Sequence, residues 1–281
     1  MTTGEEMLTT YHTHSAFCDG KMMPEDYVQA AVRKGFSAIG FTSHAPVQFG
    51  AEWTMKAENL DKYIKTVNSL KQIYKNRIQV YTGLETDFYP NCIDFRHYPG
   101  IDYTIGAVHF IYDENNNRYL SVDGPAEEYR ELVNVVFGGD VKAFAETYFS
   151  LMAEMITTQT PDIVGHLDLI KKNNQNSLFF SETEKWYRDK VEDLLEIISR
   201  HNVIVEVNTG GIARGYLDEV YPSEWILKLI REMDIPVVLN SDAHHPDWID
   251  AYYPEAVKIL KNIGFSHQRV LLDGTWQNVL L

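Results

Sequence analysis

Met7-Leu8-Thr9-Thr10-Tyr11, a short run of β-branched and apolar residues, passes directly into His12-Thr13-His14, with Asp19 close behind. The arrangement recurs along the chain: an apolar run of strand length, then a residue with metal-ligating chemistry, then an amphipathic stretch. The further runs are Ala38–Thr42, Ile78–Leu84, Tyr103–Val108, Asp162–Gly165, Val203–Val207 and Ile235–Leu239. Each has the length and apolar character of a parallel strand buried on both faces. Between them the helical period is plain. Pro24-Glu25-Asp26 opens a segment carrying Val28, Ala31 and Val32 that closes at Gly35, with proline at its start and glycine past its end. Leu60, Ile64, Val67 and Leu70 line one face of a second helix. Ser181-Glu182-Thr183-Glu184 has the pattern of a capping box ahead of Trp186, Val191, Leu194, Leu195 and Ile198, and Pro254 opens a last helix that ends before Gly264.

Strand–helix alternation without a low-complexity linker predicts an α/β fold, a parallel sheet in a single domain over residues 1–281. Seven strands are counted, with Arg269–Leu272 a weak eighth. The interval from Glu85 to His109 leaves room for one short helix near Pro99-Gly100, so a barrel with one skimped unit fits better than a symmetric eight-fold one. The longest interval, His109 to His166, contains Asn115-Asn116-Asn117, Asp123-Gly124-Pro125 and Gly138-Gly139 and reads as a loop insertion, a candidate lid.

Composition narrows the function classes. The chain has 281 residues, 44% apolar and 23% charged, an ordinary globular mix that fits one α/β barrel domain. Its net charge of −15 argues against gripping a nucleic-acid backbone, which needs a basic face. Cys18 and Cys92 cannot build a disulfide framework, which suits a reducing compartment. The polar, acidic start MTTGEEMLTTYH lacks the apolar core of a signal peptide and no membrane-spanning run follows, so a cytoplasmic protein without a membrane partner is expected. The oligomeric state is left open.

The residues just after the runs carry the chemistry. His12, His14 and Asp19 follow the first, His44 the second, Glu85 the third, His109 the fourth, His166 the fifth, and Asp242 and His244 the seventh. In parallel α/β folds the carboxyl ends of the strands form the active face. Six of the ten histidines and three carboxylates are thereby delivered to one rim. One histidine after a strand is most simply a hydrogen-bonded structural residue; six in this position are not. In His12-Thr13-His14 the two imidazoles, two residues apart in extended chain, point the same way and can reach one ion. Nine donors exceed the four of a single tetrahedral ion; two ions could be served, and three with a bridging carboxylate use the set more fully. Nitrogen- and oxygen-rich sites of this kind suit Zn, Mn or Fe rather than Ca or Mg. A cluster of divalent ions supplies a hydroxide nucleophile and neutralises phosphoryl oxygens, which points to metal-assisted phosphoester hydrolysis, with amide hydrolysis the near competitor.

The ordered set His12-Thr13-His14, Thr42-Ser43-His44, Gly83-Leu84-Glu85, Ala107-Val108-His109, Gly165-His166-Leu167-Asp168 and Asn240-Ser241-Asp242-Ala243-His244 resembles the motifs of the PHP (polymerase and histidinol phosphatase) superfamily. Ser43-His44-Ala45-Pro46 and the run from Gly165 to Lys172 resemble more narrowly the PHP-type histidinol-phosphate phosphatases. The resemblance runs from the first strand to the seventh. It implies a distorted seven-stranded (β/α) barrel, a trinuclear metal centre, and hydrolysis of L-histidinol phosphate to L-histidinol in histidine biosynthesis. By position it implies one ion on His12, His14, Glu85 and Asp242, a second on Glu85, His109 and His166 with Glu85 bridging, and a third on Asp19, His44 and His244. Some family members place a histidine near Asp19, where this chain has Cys18-Asp19-Gly20. Cys18 is an alternative ligand there, but reads more simply as a buried structural thiol.

After the sixth run, Asn208-Thr209-Gly210-Gly211-Ile212-Ala213-Arg214-Gly215 offers no obvious metal ligand. Glycines let backbone N–H groups approach an anion, and Arg214 offers a fork matched to phosphate, so Gly210, Gly211 and Arg214 are read as substrate-binding rather than as a surface turn. The resemblance also supports an arginine here. Asp168 either orients His166 or pairs with Lys171 or Lys172; Trp53, Asp87 and Tyr89 are candidate pocket walls. The expected activity is that of a metal-dependent phosphomonoesterase acting on a small molecule, with Glu85, Asp242 and Arg214 as its catalytic residues and no protein nucleophile. The alternatives are a PHP-type phosphoesterase acting on phosphotyrosine or nucleotides, and a non-catalytic metal-binding module.

Overall fold

The computed structural model describes residues 7–281; the first six residues of the polar N-terminal stretch lie outside the described residues. In chain order the elements are β1 (Thr9–Thr10), α1 (Pro24–Arg33), β2 (Ala38–Phe41), α2 (Leu60–Ile73), β3 (Gln79–Asp87), β4 (Tyr103–Ala107), β5 (Phe110–Asp113), β6 (Arg118–Ser121), α3 (Ala126–Glu131), α4 (Val141–Thr158), β7 (Ile163–Val164), α5 (Lys185–His201), β8 (Ile204–Asn208), α6 (Gly210–Ala213), α7 (Glu224–Glu232), β9 (Val237–Asn240), α8 (Tyr253–Ile263), β10 (His267–Leu272) and β11 (Thr275–Leu280).

Seven strands form one sheet in the order β1-β2-β3-β4-β7-β8-β9, and every neighbouring pair is parallel. The sheet curls into a distorted (β/α) barrel whose seam is held by the residues just past the strands. His14 N donates to Ala243 O at 2.9 Å, Ala243 N to His12 O at 3.3 Å, and Tyr11 N to Asn240 Oδ1 at 2.7 Å. The barrel thus closes through the two motifs richest in ligands, which fixes their relative height.

The interior is layered because residues two apart on a strand share a face. On β3, Tyr81 lies in the apolar floor while Glu85 and Asp87 stand at the carboxyl end. Tyr11, Tyr81, Tyr103, Ile105, Ile163, Ile204 and Val238 pack the floor, sealed from below by Val270 and Leu271 of the antiparallel β10–β11 hairpin. Tyr103 spans this space only because its neighbours are glycines. A Cβ at Gly40 would lie 2.1 Å from Tyr103 Oη, and one at Gly83 would lie 2.7 Å from its Cζ.

The outer layer follows from amphipathic helices. On α4, Phe144, Tyr148, Met152, Met155 and Ile156 are buried at three- and four-residue spacing. This helix occupies much of the interval read as a loop insertion; the hairpin β5–β6 and α3 fill most of the rest, so only the turns at 114–117 and 122–125 and the glycine pair keep loop character. No helix forms between residues 88 and 102, where a short one was expected. Arg269–Leu272 belongs to β10, outside the barrel sheet. The expected capping box at Ser181 becomes a turn, residues 181–184, directly ahead of α5, whose N-cap is Glu184: Glu184 Oε1 does accept from Ser181 N at 3.2 Å, but Ser181 Oγ accepts from Thr183 N. Among the described residues, no helix is long and apolar enough to cross a membrane.

Candidate metal centre

All nine donors predicted from the sequence meet at the carboxyl end of the barrel. His12 and His14 leave β1 on the seam. Asp19 follows in the next turn, which is drawn inward by Ser15 Oγ against Ser43 Oγ at 2.9 Å. His44 follows β2 and pairs by backbone bridge with Glu85, which sits within β3 because that strand extends to Asp87. His109 follows β4, His166 follows β7, and Asp242 and His244 follow β9. Asp242 takes the left-handed backbone conformation, φ 49°, which Asp tolerates better than most residues.

Glu85 is the hub. Its Oε1 lies 2.8 Å from His166 Nε2 and 3.6 Å from His109 Nε2, while its Oε2 lies 2.9 Å from His44 Nδ1, 3.3 Å from His12 Nε2 and 3.4 Å from His14 Nε2. The two oxygens thus face two different sets of imidazoles. Asp242 Oδ1 reaches His14 Nε2 at 3.2 Å, His244 Nδ1 at 3.6 Å and His12 Nε2 at 3.7 Å. Asp19 closes the outer edge, with Oδ2 3.1 Å from His244 Nε2 and Oδ1 3.6 Å from His14 Nδ1.

The donors fall into four overlapping groups: His14, Asp19, His44 and His244; His12, Glu85 and His166; His12, His14 and Asp242; His44, Glu85 and His109. This differs from the partition implied by resemblance. His166 groups with His12 as well as Glu85, and His44 faces both Glu85 and, at 3.9 Å, Asp19.

The electrostatics are those of a basin built for cations. Burial alone would raise the Glu85 carboxyl, yet His44, His12 and His109 hold it well below the usual carboxylate range. Burial likewise opposes ionisation of Asp242, and Arg214 and His12 overcome it. Burial together with His244 and His44 pushes His14 down to about 3, so its imidazole is neutral with a lone pair to offer. His12 Nε2, His14 Nε2, His44 Nδ1, Asp19 Oδ1 and Glu85 Oε2 are buried without a well-formed hydrogen bond, face one another rather than other polar groups, and belong to the overlapping donor groups. Buried polar atoms are ordinarily satisfied, so five orphans pointing together fit divalent metal ions as the missing partners.

Asp87 turns out to be a support rather than a pocket wall. Its Oδ1 accepts from His109 Nδ1 at 2.8 Å and from His109 N at 3.1 Å, which leaves Nε2 facing Glu85. Burial opposes the His109 charge, but Asp87 and Glu85 outweigh it and raise His109 to about 10.

The sequence profile of the PHP domain matches residues 10–210, more than two thirds of the chain. The chain belongs to the PHP domain family. A Deinococcus radiodurans protein named "Probable histidinol-phosphatase" is 30% identical over 275 residues, spanning 92% of this chain and 96% of that protein. The histidinol-phosphatase of Bacillus subtilis is 28% identical over 252 residues, spanning 83% and 92%. Among solved structures, a Listeria monocytogenes protein assigned as a histidinol phosphatase superposes with a TM-score of 0.78 at 25% identity, covering 88% of this chain and 99% of that one. The histidinol phosphate phosphatase of Lactococcus lactis, solved with Zn, L-histidinol and phosphate, gives 0.70 at 19% identity over 96% of this chain and 98% of that one, a likeness of fold.

Within this PHP domain the loop after β8 behaves differently from its sequence reading. Gly210 N already donates to Asn208 Oδ1 at 2.8 Å, so it is not a spare donor for an anion. Both glycines are dictated by packing: a Cβ at Gly210 would meet Asp242 Cβ at 2.9 Å, and one at Gly211 would meet the Tyr221 ring at 2.8 Å. Arg214 lines the cleft, but its fork is largely committed. Nη2 donates to Asp242 Oδ2 at 2.9 Å, and Nη1 to Asp242 O at 2.8 Å and His244 Nδ1 at 2.9 Å.

The cleft above the donors has a volume of about 570 Å³, with Trp53, Tyr216, Tyr221 and Trp248 among its walls and Lys21 and Lys172 at its edges. Trp53 meets His44 edge-on at 4.4 Å and stacks on Phe110 at 5.0 Å. Tyr89 is buried away from it, accepting from Gln48 N at 3.0 Å. Asp168 pairs with Lys171 at 3.0 Å and accepts from Ser223 N at 2.8 Å, so of its two readings the salt bridge holds. Cys18 Sγ lies 3.5 Å from both Ser15 O and His14 Nδ1, and burial pushes its thiol up to about 12, as befits an inert packing residue. His97 and His267 are exposed, while His201 caps Ile197 O and His245 accepts from Asp247 N. Sequence reading missed Glu206, the buried acid of β8; its signal was a single charge inside an apolar run.

Proposed function

We propose that this PHP domain is a metal-dependent phosphomonoesterase that hydrolyses L-histidinol phosphate to L-histidinol and phosphate in histidine biosynthesis, and that residues 1–281 act as one unit. The observation that carries the reading is the convergence of five unpartnered buried donor atoms at the floor of a cleft, in a chain whose relatives align over nearly their whole length as histidinol-phosphatases.

His12, His14, Glu85 and Asp242 would hold one ion, His109 and His166 with Glu85 a second, and Asp19, His44 and His244 a third, with Zn, Mn or Fe the metals that suit this donor set. The two-sided placement of the Glu85 oxygens supports its role as the bridge. Such ions supply an activated water at neutral pH and positive charge at the phosphoryl oxygens. The chain's own residues do the rest. Asp242, clamped by Arg214, keeps its Oδ1 turned to His12 and His14. Arg214 uses three of its five N–H donors on Asp242 and His244, and the remaining two serve an incoming phosphoryl group. Trp53, Tyr221 and Trp248 narrow the cleft and limit water around the ester.

The test is steady-state hydrolysis of L-histidinol phosphate by metal-loaded protein against a panel of phosphomonoesters that includes phosphotyrosine and nucleotides. The highest kcat/KM for L-histidinol phosphate is expected; a clear preference for phosphotyrosine or a nucleotide overturns the substrate, and no turnover of any ester overturns the enzyme.

A further inference from the structure

Glu206 is a fully buried carboxylate on β8 that the reading above leaves without a role. Each of its oxygens accepts two hydrogen bonds. Oε1 takes His12 Nδ1 at 2.6 Å and Asn240 Nδ2 at 3.0 Å; Oε2 takes the backbone N of His166 at 3.0 Å and Asn208 Nδ2 at 2.9 Å. Two amide NH₂ groups and a backbone N–H can only donate, so both oxygens act as acceptors. With its oxygens acting as acceptors, Glu206 takes the His12 Nδ1–H, which leaves Nε2 as the ring nitrogen that would face a metal. That Nε2 is the buried, unpartnered atom facing Glu85 Oε2 at 3.3 Å.

The four donors come from different places on the barrel: His12 after β1, His166 after β7, Asn208 at the end of β8 and Asn240 at the end of β9. Asn208 and Asn240 pass the connection on, the first to Asp242 Oδ2 at 3.3 Å and the second to Tyr11 N at 2.7 Å on the seam. One carboxylate thus ties together the half of the rim that supplies His12, His166 and Asp242. Among the described residues, Asp19, His44 and His244 of the other half make no hydrogen bond or ion pair with it.

We propose that Glu206 is a positioning residue for the metal centre. It fixes the ring orientation of His12 and the height of His166, and through them sets the affinity for ions on the Glu85–His12 side while leaving the Asp19–His44–His244 side unaffected. The proposal rests on the metal-centre reading given above. A carboxylate that merely braced the barrel would lower stability without distinguishing one ion from another. A support of this kind acts on metal affinity by about 10- to 100-fold.

Glu206→Gln keeps the shape and replaces one acceptor by a donor that opposes either Asn208 and His166 N or His12 and Asn240. Chelated wild type and variant are titrated with Zn²⁺ by calorimetry, with bound metal counted by elemental analysis and the fold checked by thermal unfolding. The expected result is folded protein that binds the Glu85–His12 ions about 10- to 100-fold more weakly, retains the affinity of the remaining ion, and regains turnover at high Zn²⁺. Glu206→Asp, which keeps the charge but retracts it, falls between. A Glu206→Gln protein that binds every ion as wild type does, with only a lower Tm, overturns the proposal. Should that variant fail to fold, nitrogen NMR of ¹⁵N-histidine in zinc-loaded wild type decides: a proton on His12 Nδ1 with Nε2 bound is expected, and metal on Nδ1 overturns it. Wild type that takes up no metal overturns the metal-centre reading itself.

Discussion

If Arg214 grips the phosphoryl group as proposed, Arg214→Ala is expected to separate recognition of that group from possession of the metals. The guanidinium is one-fifth exposed at the cleft wall and spends three donors on Asp242 and His244. Two N–H groups remain, and on the proposed reading they meet the substrate. Hydrogen bonds to charged partners contribute about 1.5–3 kcal/mol each, and removing a single oxyanion donor from an enzyme costs about 2.7–4 kcal/mol. Because the transferring phosphoryl group carries its charge spread over its equatorial oxygens, where a guanidinium fork can meet it, a loss of roughly 3 kcal/mol at the transition state is expected, on the order of a hundredfold in kcat/KM. Inhibition by inorganic phosphate weakens in parallel, since the product offers the same oxygens. Bound metal, counted by elemental analysis, is expected to stay at the wild-type level, because on the proposed reading nine other residues would hold it. Arg214→Lys recovers only part of the activity: one ammonium cannot span Asp242 Oδ2, the Asp242 carbonyl and His244 Nδ1 while also meeting phosphate. Unchanged kcat/KM and unchanged phosphate inhibition in Arg214→Ala would refute the argument and leave Arg214 as a clamp on Asp242 alone.

Glu85→Gln removes the charge whose two oxygens face His166 and His109 on one side and His12, His14 and His44 on the other; it is expected to deplete two ions together and abolish turnover. His44→Ala, assayed beside it, depletes one, and loss of a single ion in the glutamine variant would contradict the bridge. Chelation abolishes activity, and Mn²⁺ or Zn²⁺ restores it, because deprotonated carboxylates and imidazoles re-form the site when metal returns; full activity with one ion bound counts against a cluster. In the barrel floor, Gly40→Ala drives a methyl into Tyr103 Oη, which is buried and donates to Tyr11 O at 2.5 Å. Overpacking of this kind costs about 1–3 kcal/mol, read as a lower Tm with metal content and kcat preserved.

The seven-stranded barrel and the position of the candidate donors at its rim were legible in the sequence alone, and the reason is local. Strand period, helix period and the residue that follows each strand are properties of neighbours in the chain, so His12-Thr13-His14, Glu85, His109, His166 and Asp242-Ala243-His244 were legible as rim donors once the runs before them read as parallel strands. What escaped was everything set by contacts between distant segments. Glu206 meets His12 across 194 positions, so its part in the site appears only when β8 and β1 stand on the same half of a closed barrel. Asp87 looked like a pocket wall until β4 placed His109 beside it. Arg214 looked like a free fork until the seam carried Asp242 and His244 against it. The α4 interval was misread because its turn residues were conspicuous, while the face that Phe144, Tyr148 and Met152 bury has meaning only against the barrel wall. A residue's type and spacing declare what it can bind; which partner it is spent on depends on barrel closure, which no single stretch of chain contains.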